Sequence, residues 1–157
     1  TERSISSNPS KGVTLQGKIR KDHAMSFKPV IILSRDLPVG LKANFAAVLG
    51  MSLGRFHPEL VGPDTPTQDR VVLRGITTVA LPVLGAAAED LASLFEAGAD
   101  LPLRLAYMRA AFEARNYADY TDRITAAPLA GHAPQAILLG GPRKAVDRIC
   151  GNVPLLR

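Results

Sequence analysis

The sequence predicts an α/β protein in which helices cover a small sheet, and three observations carry that prediction. Short continuous apolar runs rich in β-branched residues recur along the chain, amphipathic segments of helical period follow them, and clusters of Gly, Pro and Asp separate the two. Strands alternating with helices in this way are the pattern of α/β domains.

The first strong element is "PVIILSR" (29–35). A run this short and this apolar reads as a strand buried on both faces, and Pro29, which lacks a backbone donor, is expected to open it. In the "DLP" that follows, Asp36 reads as an N-cap region residue and Pro38 suits a first helical position. Leu41, Phe45, Val48, Leu49 and Ser52 then keep the i, i+4, i+7, i+8 spacing, which predicts an amphipathic helix over 38–53 that ends near Gly54. Strand, tight turn and helix open a βα unit.

"FHPELVGPDTPTQD" is a loop by its Pro, Gly and Asp content. "VVLRG" and "ITTVALPVL" read as one or two strands around Gly75, with Pro82 near the end. "AAAEDLASLFEAG" (86–98) is a second helix closed by Gly98, and "LPLRLAYM" (101–108) alternates like a strand. "AAFEARNYADYTDRITAA" predicts a third helix or a helix pair ending before Pro128. "PQAILLGG" (134–141) is another buried strand, and "PRKAVDRICGN" is a last helix with Pro142 early and Gly151 at its stop.

The N-terminal stretch differs in kind. Residues 1–25 are polar and weakly patterned, with "VTLQGKI" (13–19) as one candidate short strand. The expected organisation is a basic N-terminal extension over 1–25 and a single α/β domain over 26–157. Residues 1–30 hold six Lys and Arg against two acids, whereas 31–157 hold thirteen against twelve, so most of the net charge of +5 lies on that arm. A basic arm either touches phosphates or is a solvated extension.

No apolar run approaches the roughly 18 residues of a membrane span, and the first 25 residues carry no h-region. A single cysteine, Cys150, excludes an internal disulfide and fits a reducing compartment, so the expected location is the cytoplasm. His23, His57 and His132 are scattered without zinc-ligand spacing, and neither a G-x-S-x-G elbow nor a P-loop occurs. The sequence therefore calls for no metal and no cofactor.

Four segments carry a family resemblance. "RDLPVGLKANFAAVLGMSLGR", followed by "LVGPD", "RGITTVALPVL" and "GGPRKAVDRICGNVPLLR", resembles the family called domain of unknown function 2000, from about Lys28 to Arg157. That family is in turn similar in fold to type-two peptidyl-tRNA hydrolases. The positions that match are Asp36, Leu37 and Lys42, then Gly141, Pro142, Val146, Asp147, Gly151, Leu155 and Leu156. The resemblance implies a three-layer α/β/α fold with a mixed sheet of about four strands. It also implies that Lys42 is the catalytic candidate. Ala46 and Leu49 stand where those hydrolases carry a glutamine and a histidine, and Asp122 and Thr125 are the nearest counterparts of their aspartate and threonine.

The residues themselves give Lys42 a second rationale. A lysine near a helix start opposes the helix dipole, yet free amides and an ammonium together make a ready anion site. Lys42 also lies just past the carboxyl end of a strand, where open α/β sheets bind ligands. The alternative is a surface pair with Asp36. Arg35, Asp36, Asn44 and Thr77 complete the ligand-binding candidates: Arg35 as a bidentate anion holder, Asp36 and Asn44 as crevice residues, and Thr77 as the one threonine of "RGITT" lining a pocket. Arg143, Lys144 and Arg148 form a basic helix face, Cys150 reads as a buried thiol, and Tyr107, Tyr117 and Tyr120 are either stacking surfaces or core. Two functions follow as expectations. One is a domain that binds an anionic small molecule or tRNA at the strand 29–35/helix 38–53 turn, including a divergent hydrolase. The other is a non-catalytic homodimeric interaction module. Neither involves a membrane.

Overall fold

The structure, a computed structural model, describes residues 26–157, so the short strand expected over 13–19 lies outside it. Among the described residues the chain runs β1 (Phe27–Ser34), α1 (Val39–Phe56), a small arm of β2 (Thr65–Pro66) and β3 (Val72–Leu73), then β4 (Val83–Ala86) and α2 (Leu91–Ala97). It continues with β5 (Leu103–Met108), α3 (Arg109–Glu113), α4 (Tyr117–Thr125), β6 (Pro134–Pro142) and α5 (Arg143–Cys150). The main sheet has the order β4-β1-β6-β5, with β1 parallel to β4 and β6 antiparallel to both β1 and β5. The chain is thus α/β with a mixed four-stranded sheet.

Alternation along the two central strands splits the core into two layers. Ile31 and Leu33 of β1 and Leu138 of β6 pack with Phe45, Leu49 and Leu53 of α1. Val30, Ile32, Ile137 and Leu139 pack on the other face with Leu91 of α2 and with Val146 and Cys150 of α5. Burying each such aliphatic side chain contributes about 1.5–3 kcal/mol. Lys28 of β1 forms an ion pair and hydrogen bond with Asp147, fastening α5 across the first strand.

Several boundaries depart from the sequence reading for identifiable reasons. Pro29 does not open β1 but lies inside it, paired in register with Gly140. Ile31 N–H points to the β4 side, where it bonds Pro82 O at 3.0 Å; by the two-residue repeat Pro29's missing donor points the same way, before β4 pairing begins. Pro38 is the N-cap of α1 rather than its first helical residue, and no side chain caps that end. Gly54 does not end α1, which continues to Phe56 because the breaker is Pro58: His57, just before it, is held out of helical geometry at φ −130°, ψ 64°.

The run "ITTVALPVL" does not form one strand. Only β4 at its end joins the main sheet, and "VVLRG" contributes only the short β3 of the arm. Neither run can add to β4, which is flanked by β1 on one side and by the C-terminal segment on the other through Gly85 N–H to Pro154 O and Leu156 N–H to Val83 O, both 2.9 Å. Thr77 bonds locally instead, its hydroxyl donating to Val79 O at 2.9 Å. The helix expected over 86–98 begins later, because Ala86 belongs to β4 and residues 88–90 make a 3-10 turn. The third helical region is a pair, α3 and α4, parted at Asn116, whose side chain caps α4 by accepting from Asp119 N–H at 2.9 Å.

Candidate functional site

The connectivity creates one distinctive crevice. β1 and β4 are parallel neighbours ending side by side at Ser34 and Ala86. From those ends the chain leaves in opposite directions, since α1 packs on one face of the sheet and α2 on the other. A ligand can enter between two such diverging connections without meeting a crossing chain, which is why open α/β sheets bind at this point.

Arg35, the first residue after β1, stands at this crevice. Its N–H donates to Ala86 O at 2.9 Å, so the backbone continues the sheet bonding one step beyond the strand and holds the side chain beside β4. Arg35 lines a cavity of about 490 Å³ together with Gly85, Pro154, Leu155, Leu156 and Arg157. It also lines an adjoining cavity of about 330 Å³ that reaches Ala87, Asp90 and Ser93 at the start of α2 and Asn152 beyond α5. Gly85 makes room for this arrangement: a Cβ there would lie 3.0 Å from Leu156 Cδ1 and 3.4 Å from Arg35 Cβ. In the larger cavity both ionised side chains are arginines, and the rest of the lining is glycine, proline and leucine.

The start of α1 adds donors at the same end of the sheet. The first bonds of the helix are Leu41 N–H and Lys42 N–H to Pro38 O, both 3.0 Å, which leaves the amides of Val39 and Gly40 open. No acidic residue occupies this turn, and a Cβ on Gly40 would meet nothing within 4 Å. An uncapped helix start of this kind presents partial positive charge to the crevice end of the domain.

The other candidates divide. Lys42 is half-buried on α1 and makes no ion pair among the described residues, so the surface pair with Asp36 does not form. It lines neither cavity at Arg35. Asp36 is exposed in the β1–α1 turn, and Asn44 is exposed on α1 two residues past Lys42. Thr77 lies in the excursion between the arm and β4, bridged to Val61, and is not brought alongside Arg35. Leu49, where a hydrolase would carry its histidine, is a core residue under the sheet, and Ala46 packs against the same core. Asp122 and Thr125 lie on α4, with the Thr125 hydroxyl donating to Thr121 O at 2.9 Å.

Sequence reasoning missed Arg157, Gly85 and Asn152. Their role depends on the C-terminal segment folding back along β4, a pairing between residues about seventy positions apart that no local pattern announces. The Leu155–Leu156 doublet was the one visible sign. Among the described residues no group of three or more His, Cys, Asp or Glu could hold a metal, and no helix is long and apolar enough to cross a membrane.

Comparison with known proteins agrees with this fold. The structure is similar to the solved structure of a protein of unknown function from Agrobacterium tumefaciens strain C58, with a TM-score of 0.76 at 20% identity, covering 83% of this chain and 97% of that one. At that identity the likeness speaks for the fold alone. No curated protein matches the sequence. The family described as protein of unknown function (DUF2000) matches residues 27–157, which takes in every element of the sheet and its helices. The chain belongs to the DUF2000 family.

Proposed function

We propose that this domain binds an anionic small molecule bearing an apolar body in the crevice at the ends of β1 and β4. The observation that carries the proposal is Arg35, which lines the larger cavity together with Arg157 and the apolar Pro154, Leu155 and Leu156. A guanidinium holds a carboxylate or phosphate through paired N–H bonds, and the leucines would cover an aliphatic group attached to it. The open amides of Val39 and Gly40 and the ammonium of Lys42 add positive potential at that end of the sheet. The test is titration with butyl phosphate against butanol. Binding of the phosphate ester alone, weakened by about 1–2 kcal/mol in Arg35→Ala, supports the assignment.

Ester cleavage of peptidyl-tRNA is the catalytic version of this reading, resting on the resemblance around Lys42 and the C-terminal block. The geometry favours binding over turnover, because the positions of the expected glutamine and histidine are taken by Ala46 and Leu49, both packed into the core. A cleavage assay of the wild type beside Lys42→Ala decides it: turnover lost in the variant establishes a hydrolase.

A second reading, the homodimeric module, is favoured by the arm. β2 and β3 share only two residue pairs, fewer than a free ribbon needs for stability, yet Val71, Val72, Leu73 and Ile76 are exposed on and beside it. Sedimentation of the wild type and Ile76→Asp tests whether these residues join two copies.

A further inference from the structure

All three tyrosines of the chain line one groove, on the far side of the sheet from Arg35. Tyr107 comes from β5, the edge strand opposite β4, and Tyr117 and Tyr120 come from α4. Val48 and Ser52 of α1 close one side, and the remaining lining is Ala106, Ala111, Ala114 and Asn116 around a volume of about 410 Å³. That volume falls in the range of small-ligand pockets.

Tyr107 packs against the α1 layer of the core, whereas Tyr117 and Tyr120 stand outside it. Tyr107 is backed on one side by the buried Phe45, with ring centroids 4.1 Å apart in a stacked geometry, which fixes its plane. Tyr117 and Tyr120 are tilted by 58° with ring centroids 5.3 Å apart, so they meet edge toward face rather than stacked. Tyr117 is 81% exposed at the first turn of α4. None of the three phenol hydroxyls, nor the Ser52 hydroxyl, makes a hydrogen bond among the described residues. The turn that carries two of the rings is nevertheless held rigid: Asn116 caps it, and the Asp119 carboxylate accepts from Arg115 N–H at 2.9 Å and from Arg123 Nε at 3.0 Å. A backbone held in advance loses little freedom when a ligand arrives.

We propose that this groove is a second binding site, which takes a flat, uncharged heteroaromatic small molecule. The alanines keep the groove open, the tyrosines and Val48 supply apolar surface to pack against, and the tyrosine hydroxyls with Ser52 and Asn116 supply polar contacts for the edges of the ring. No ionised side chain lines the groove, in contrast to the arginine-lined crevice across the sheet, so charge is not what it selects. Burial and the neighbouring Tyr117 push the Tyr120 hydroxyl above its ordinary value, so it stays a donor through the working range of pH.

The test is an amide-resolved NMR titration of the wild type with adenosine, with ribose as the ringless control. Adenosine is expected to shift the amides of Ala106, Ala111 and Ala114 in a saturable manner while ribose leaves them in place. Tyr117→Ala, at a position too exposed to affect folding, is expected to weaken adenosine binding by roughly 5- to 100-fold. Ser52→Leu, which fills the slot, is expected to abolish it. Equal shifts from ribose, no saturable shift with adenosine, or unchanged affinity in Tyr117→Ala would each overturn the proposal.

Discussion

The Arg35 N–H donates to Ala86 O at 2.9 Å, joining the ends of two parallel strands whose next helices pack on opposite faces of the sheet. One backbone bond thereby anchors the main chain that carries Arg35 at the crevice that the topology opens. Because the bond belongs to the main chain, the side chain is free to serve a ligand.

Gly85 is the neighbour that this arrangement tolerates least. Its absent Cβ would lie 3.0 Å from Leu156 Cδ1, so Gly85→Val must push Leu156 outward and strain the bonds that pair the C-terminal segment with β4. Overpacking of this kind costs about 1–3 kcal/mol. Hydrogen exchange at the Leu156 amide, which donates to Val83 O, is expected to accelerate well before exchange in β1 or β6.

Leu138 sits at 0% exposure in the centre of β6, packed with α1. Leu138→Ala is expected to destabilise the domain by about 2–5 kcal/mol in chemical denaturation, through lost transfer energy and the cavity left behind. Arg35→Ala, at an exposed position, is expected to stay within about 0.5 kcal/mol of wild type.

Much of this architecture is legible along the chain. β1, α1, β6 and α5 announce themselves because each buries residues on a strict period against a continuous core. The 61–82 excursion misleads for the opposite reason: "VVLRG" and "ITTVA" have the composition of strands, but both edges of β4 are already taken, and they pair only locally, through β3 with β2 and Thr77 with Val61. The candidate site is half legible. Arg35 is marked by its place at the end of an apolar run, whereas Arg157 and Gly85 reach it only through a pairing distant in sequence. The tyrosines could be named as stacking surfaces, but the turn between α3 and α4 that gathers two of them beside the third had to be seen.

Asp119 gives a pH signature. The Arg115 N–H and the Arg123 guanidinium hold its carboxyl below the usual value. A carboxylate lowered in the folded state adds stability that is fully present above the unfolded value, about 3.9, and is lost as pH falls through the lower folded value. Carbon-detected NMR titration is expected to place its midpoint below those of ordinary aspartates. Stability measured across the same acid range should decline less steeply in Asp119→Asn.

Cys150 is the last residue of α5, on its buried face, with its Sγ donating to Val146 O at 3.2 Å, and burial pushes the thiol up. Thiolate, the reactive form, is therefore scarce at neutral pH. Iodoacetamide is expected to label the folded protein slowly and the guanidinium-unfolded protein completely, a contrast read by mass spectrometry.

The most direct measurement is calorimetric titration of butyl phosphate into the wild type and into Arg35→Ala, at low and at high salt. The wild type is expected to bind saturably, with an affinity that weakens with salt and falls by about 1–2 kcal/mol in the variant. Binding of equal strength in both proteins, or none in the wild type, would contradict it.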